Sequence, residues 1–271
     1  MDDEQFRQLL DHFGYSWSGY RRVRKGVKRR ISRHMQQVRC RKAQEYLNRL
    51  DADSGLRRQF DSVMSLSVSR FFRDRLLWKI MEDYIVPEIV KENRGKVRFL
   101  SVGCACGEEV YSLKIVWEIQ RARLEDMPEL EILAMDINPD YIRRAREGKY
   151  SKSSLKEVPD KLRDVYFLYS GKDDFYKIEP SMRAGISWKV QNAVNEPLQG
   201  NFQVIFLRNG ILTYYTDELR RTAFRKILGS LSKGGFLVVG SHERLPVETG
   251  DLLPIMGQQY IFSRGLVANT C

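Results

Sequence analysis

From residue 1 to residue 65, apolar side chains recur every three or four positions. Phe6, Leu9, Leu10 and Phe13 share one helical face, and Gly14 ends that helix. Tyr20, Val23, Val27, Ile31, Met35 and Val38 follow at the same spacing. They predict an amphipathic helix whose other faces are nearly all basic. Ala43, Tyr46, Leu47 and Leu50 make a third helix; Asp53 or Ser54 caps a fourth with Leu56, Phe60, Val63 and Met64. No alternating pattern interrupts them, so residues 1–65 are expected to be a small helical domain. A connector leads to one more helix, marked by Leu76, Leu77, Ile80, Met81 and Tyr84.

The period then changes. Val97, Phe99, Leu100 and Val102 form the short apolar run of an inner strand. Gly103 and Gly107 bracket a turn, and Tyr111, Leu113, Ile115 and Val116 resume a helix. Leu130–Met135 reads as a second strand, Tyr141–Arg146 as a helix, and Phe202–Leu207 as a near-continuous apolar strand. Asp217–Leu231 is an amphipathic helix, Lys233-Gly234-Gly235 a turn, Phe236–Val239 a strand, and Gln259–Ser263 a closing strand. Between them, Val165, Phe167 and Tyr169, then Phe175, Lys177 and Ile178, then Ile186, Trp188 and Val190 alternate in short strands. The expected architecture is α/β: a doubly wound, Rossmann-like sheet over residues 66–271, with a small antiparallel β insertion at about 164–190 leading back to a core strand near Trp188–Asn192.

Chemistry enters at the first turn. Glycines there let the backbone come close to a bound molecule. Glu108 and Glu109 follow at once, and two acids disfavour a phosphate at a helix N-terminus. A cationic ligand suits them better, and S-adenosylmethionine carries a sulfonium and an ammonium with no phosphate. Asp136, at the end of the second strand, is placed either to accept from ribose hydroxyls or to cap the following helix. Arg208 and Asn209 stand at the C-terminal end of the Phe202–Leu207 strand, where ligands of open α/β sheets lie.

The chain has 271 residues and a net charge of +11. Eleven bases and no acids lie between Tyr20 and Lys42, so the remainder is neutral overall. Such a face is a solvated surface, a nucleic-acid footprint or a site for an acidic protein; charge alone does not choose. Cys40, Cys104, Cys106 and Cys271 have no metal-ligand spacing, and only three histidines occur, so zinc or iron chemistry is not expected and reduced thiols are. No stretch approaches the roughly 20 apolar residues of a membrane span. The start, MDDEQF, lacks a basic-then-apolar signal pattern, and the expectation is a cytoplasmic protein.

Six stretches in order resemble the CheR-type chemotaxis receptor methyltransferases, which esterify receptor glutamates with S-adenosylmethionine. Ser67–Asp74 resembles the family's Asn/Thr loop ending in Phe-Phe-Arg-Asp, and Gly103–Leu113 its cofactor loop with Gly-Glu-Glu and Tyr-Ser. Ala134–Ile137 resembles Ala-Thr-Asp-Ile, Ala145–Tyr150 the Ala…Gly-x-Tyr, Phe206–Asn209 the Phe-Cys-Arg-Asn, and Lys233–Glu243 the Lys-Pro-Gly-Gly through Gly-His-Ser-Glu. The resemblance implies a class I methyltransferase sheet and a protein-glutamate O-methyltransferase with S-adenosylmethionine as cofactor. It implies cofactor contacts at Ser67, Ser69, Arg73, Gly103, Glu109, Asp136, Asn192, Ala193, Arg208 and Asn209, with no metal. It also implies that the basic segment 20–42 faces the acidic cytoplasmic domain of a chemoreceptor rather than nucleic acid.

The chain departs from the family on the acceptor side. Thr213 stands where a tyrosine usually lies five residues beyond the arginine, with Tyr214 and Tyr215 next. Val110 replaces a proline, and Ser241-His242 reverses the usual order. Arg73 and Tyr214 are the candidate catalytic residues: Arg73 binds the cofactor carboxylate or aligns the acceptor through a forked contact, and Tyr214, or Tyr215, replaces the missing tyrosine. Two readings remain beside receptor methylation: transfer to another protein or small molecule, and a cofactor-binding regulator without turnover.

Overall fold

The computed structural model describes residues 1–66, 69–171 and 174–265. Five helices open the chain: α1 (Asp3–His12), α2 (Trp17–Tyr20), α3 (Arg24–Gln37), α4 (Ala43–Ala52) and α5 (Ser54–Met64). Their periodic apolar residues meet in a core of their own, with Phe6, Leu9, Val27, Ile31, Tyr46 and Phe60 fully buried. Asp53 is the N-cap of α5, its side chain accepting from the amides of Gly55 and Leu56. The basic helix is shorter than its apolar period suggests, because the chain turns between Tyr20 and Arg24.

Helix α6 (Arg75–Ile80) runs through a π-helical turn at Met81–Ile85 into α7 (Val86–Glu92). Then come β1 (Lys96–Val102), α8 (Glu108–Arg121), β2 (Glu129–Asp136), α9 (Pro139–Glu147), β3 (Lys149–Ser151), α10 (Asp160–Tyr166), β4 (Phe167–Ser170), β5 (Phe175–Ile178) and β6 (Ile186–Val190). The chain continues with β7 (Phe202–Leu207), α11 (Ile211–Tyr214), α12 (Asp217–Gly229), β8 (Leu231–Val239), β9 (Leu252–Ile255) and β10 (Gln258–Arg264). The main sheet has the order β6-β2-β1-β7-β8-β10-β9. Its first five strands are parallel, and β10 runs antiparallel to β8 and β9. Strands β1, β7 and β8 are apolar on both sides, and separate buried clusters fill the two faces.

Three details differ from the pattern read along the sequence. The core strand expected near Trp188–Asn192 is Ile186–Val190, an edge strand of the main sheet parallel to β2, so the inserted sheet ends before it rather than at about 190. The insertion's sheet, β3-β5-β4, instead recruits Lys149–Ser151, and Val165 lies in α10 rather than in a strand. Lys233–Gly235 is an irregularity within β8, where the register against β7 shifts, rather than a turn before it. Alternation over three to five residues does not say which sheet a strand joins; the long-range partner does.

The helical region is tied to the sheet beside α11. The Ser16 amide donates to the Tyr214 carbonyl at 2.8 Å, and Tyr15 forms a β-bridge with Tyr215. Tyr20 packs on Tyr214 with ring centroids 4.9 Å apart. Gly19 permits this approach, since a Cβ there would lie 2.1 Å from the Thr213 carbonyl oxygen.

Candidate functional site

The C-terminal ends of β1, β2 and β7 open onto two adjoining cavities between the sheet and the helical region. Leu66, Gly103, Asn209 and Tyr214 line both, so the two form one cleft. One wall is the Ser69–Asp74 loop. Its two phenylalanines anchor it: Phe71 is fully buried, and the Phe72 amide donates to Ser112 Oγ at 3.0 Å. The indole of Trp78 donates to the Arg73 carbonyl. With the aromatic pair fixed inward, Ser69, Arg70 and Arg73 line the cleft.

The second wall is the turn after β1. The amides of Gly103 and Cys104 both donate to the Met135 carbonyl, at 2.8 and 3.0 Å. The Ala105 amide donates to Asp136 Oδ2 at 2.9 Å. Gly103 has φ of +76°, and a Cβ built there would meet no atom within 4 Å. Any side chain at this position would therefore project into the space of the cleft, in a conformation that L residues avoid. Phe72, Asp74, Ala105 and Asn209 have φ of 52°, 66°, 50° and 53°. Left-handed non-glycine residues are uncommon, and four in the loops of one cleft mark a backbone held there by its surroundings.

The charged cavity, of about 310 Å³, lies in the range of small-molecule pockets, roughly 300–1,000 Å³. Arg73, Glu109 and Arg208 line it. Glu109 accepts from Ser101 Oγ at 3.0 Å and from Arg208 Nη1 at 2.8 Å. The other fork of Arg208 is paired with Asp74. The Arg208 guanidinium is thus committed to two acids of the chain, and Glu109 faces the cavity in one fixed orientation.

In the second cavity Asp136 accepts from the amides of Ala105 and Asn138, and also of Ile137. Burial raises its pKa and these backbone donors counter the rise. Asn138, not Asp136, caps α9, its side chain accepting from the Asp140 amide. The helix-cap role considered for Asp136 falls to its neighbour. Asn192 accepts from the Val194 amide through Oδ1, and Ala193 is buried beside it. Of the residues singled out in the sequence, Ser69, Arg73, Glu109 and Arg208 gather in the charged cavity, and Asp136, Asn192 and Ala193 in the other. Gly103, Asn209 and Tyr214 line both, while Ser67 lies outside the described residues.

Several supporting residues escape a reading from sequence. Glu243 accepts from the amides of Asn209 and Gly240, each at 2.8 Å, and from Thr213 Oγ1 at 2.6 Å. It ties the end of β8 to the loop after β7. Asp74, next to Arg73 in the sequence, reaches Arg208. Ser101, a polar residue within the apolar run that ends β1, is a signal in the sequence that its partner Glu109 explains. Burial and the charge of Glu243 raise the pKa of Tyr214, so it is a neutral phenol near neutral pH. Among the described residues, no three or more His, Cys, Asp or Glu side chains are grouped to hold a metal ion.

Residues 67–261 match the family described as CheR methyltransferase, SAM binding domain. A chemotaxis protein methyltransferase of Listeria innocua is 33% identical over 201 residues, covering 74% of each chain. A chemotaxis protein methyltransferase 1 of Pseudomonas aeruginosa is 26% identical over 226 residues, covering 81% of each. A third relative, chemotaxis protein methyltransferase Cher2 of Pseudomonas putida, is 25% identical over 252 residues, covering 90% of each. The family match spans most of the chain and contains the anchored loop, the glycine turn and the Arg208-Asn209 end of β7. The chain belongs to the CheR methyltransferase family.

Proposed function

We propose that this protein transfers a methyl group from S-adenosylmethionine to glutamate side chains of a chemoreceptor in the cytoplasm. One observation carries the reading: an acid fixed by Ser101 and Arg208 faces a charged cavity that is continuous with a largely apolar one. A zwitterionic, sulfonium-bearing methionine end fits the first cavity, and an adenosine fits the second. The open space over Gly103 suits a ligand passing between them.

When bound, S-adenosylmethionine supplies a methyl group on a positively charged sulfur. The residues of the chain position what surrounds it. Glu109 accepts from the cofactor's ammonium, and Arg208 acts through Glu109 and Asp74 as a positioning residue. Asp136 accepts from the ribose through the lone pairs its backbone donors leave. Asn192 and Ala193 border the base, and Ser69 lies on the loop that covers the methionine end. Arg73 aligns a carboxylate by its fork, and Tyr214 closes the pocket near the methyl. A glutamate carboxylate is ionised at neutral pH, with a reference pKa of about 4.3, so no strong base is needed. Orientation is then the main catalytic resource, an effect of roughly 7–11 kcal/mol when reacting atoms are aligned.

The acceptor side follows from Thr213. It lines the charged cavity and also an outer groove formed with Ser18, Gly19, Arg21, Arg22, Arg24 and Lys25. An acidic receptor helix drawn to the basic segment 20–42 would pass that groove on its way to the methyl. The test is incubation with methyl-labelled S-adenosylmethionine and receptor-bearing membranes. A labelled receptor band whose label leaves as methanol in mild alkali is expected of a glutamyl ester. Label that stays on the protein in alkali, or appears on another acceptor alone, refutes the glutamate assignment.

A further inference from the structure

Asp61 belongs to the helical region, not to the sheet, yet it lines the same apolar cavity as Asp136. It is 6% exposed. Tyr15 OH and Arg57 Nε both donate to its Oδ1, each at 3.0 Å. Oδ2 receives no hydrogen bond among the described residues. A carboxylate oxygen on a cavity wall without a protein donor is open to a donor from a bound molecule, and buried polar groups generally have such a partner. The shared contacts on Oδ1 hold the carboxylate in one orientation, with Oδ2 as its remaining acceptor.

Adenosine has hydrogen-bond donors at its two ends, the ribose hydroxyls and the exocyclic amine. The cavity has two carboxylates. Asp136 stands beside Gly103, where the cavity joins the charged one, and this is the place of the ribose. Asp61 stands on the helix that closes the cavity, among Tyr20, Met64 and Tyr215. Ile137 and Ala193 offer apolar surface between them for a flat ring.

We propose that Asp61 accepts a hydrogen bond from the exocyclic amine of the adenine and so sets the preference for an adenosyl methyl donor. This rests on the reading of the cleft as an S-adenosylmethionine site. It makes the helical region part of the cofactor pocket, with Tyr15 and Arg57 as positioning residues for Asp61.

The test is calorimetric titration of the full chain with S-adenosylhomocysteine and with its 6-deamino counterpart, in which hydrogen replaces the amine. Wild type should favour the amine-bearing ligand by about 10–100-fold, the range for a hydrogen bond to a charged group. Asp61→Leu should bind both alike, within about threefold. Asp61→Asn keeps the shape and a neutral acceptor, and should give an intermediate ratio even if the leucine variant does not fold. Equal binding of both ligands by wild type overturns the proposal and leaves the cofactor site standing, as does an asparagine variant with the wild-type ratio. Wild type that binds neither ligand overturns the cofactor reading itself.

Discussion

The basic segment and the cleft both depend on charge, and they use it in opposite ways. The segment has eleven bases, most of them exposed, and within it Arg24 and Lys28 share the single acid Asp3. The cleft has few charges, but Arg208 is buried between Asp74 and Glu109. Exposed charges attract a partner over a distance and are screened by salt; singly they add little stability. Buried, paired charges fix geometry, and losing one partner strands the others. The count of charges therefore marks the proposed docking face, while their burial marks the proposed site of the chemistry.

The largest effect expected from this contrast is at Arg208. Arg208→Leu leaves Asp74 and Glu109 without their shared partner and should cost about 3–5 kcal/mol. For a chain of this size that is a fall in Tm of roughly 10 °C, read by thermal unfolding. A variant as stable as wild type would erase the distinction between the two regions. Arg73→Ala comes next. It should lower receptor methylation about 100-fold with little loss of stability, the scale of a misaligned reactant. Methylation of receptor vesicles at the normal rate would remove Arg73 from the mechanism.

On the basic side, Arg21→Glu, Arg22→Glu and Lys25→Glu combined should raise KM for the receptor about tenfold and leave kcat unchanged. The salt dependence of KM should flatten in the same variant. A fall in kcat with no change in KM would move these residues from docking to chemistry.

Glu108 gives the smallest effect and a sharper version of the contrast. It lies beside Glu109 but is buried, with Oε2 lacking a hydrogen-bond partner among the described residues, and burial raises its pKa. A raised carboxyl pKa penalises the folded state where the group is ionised. That penalty is full above the folded pKa and vanishes below the unfolded one. Relative to wild type, Glu108→Gln should gain stability as pH rises from the acid range to neutrality, by about 1 kcal/mol. Melting curves at several pH values check this; a pH-independent difference would deny the burial penalty.

Much of this was legible in the sequence because local signals and the fold agree. The helical periods of residues 1–65, the strand before Gly103 and the apolar run of β7 each announce an element and its buried face. What stayed hidden depends on partners far along the chain. Ile186–Val190 alternates like the inserted strands before it, and its pairing with β2 fixes where the insertion ends and the core strand expected near Trp188–Asn192 begins. Nothing near Asp74 in the sequence shows that it pairs with Arg208, 134 positions away. Asp61 is one polar residue beside Phe60 on an apolar helix face, and nothing local says that a cleft lies over it. Glu243 falls within a stretch that resembles the family, but two of its three donors, Asn209 and Thr213, lie 34 and 30 positions away and meet it only in the folded chain.

The central claim is that one cleft binds the methyl donor, with Glu109 and Asp136 holding its two ends. Calorimetry with S-adenosylhomocysteine on wild type, Glu109→Gln and Asp136→Asn tests it most directly. The account predicts one site per chain in wild type and affinity about tenfold or more weaker in each variant, the scale of a hydrogen bond to a charged group. No heat with wild type, or wild-type affinity in both variants, would contradict it.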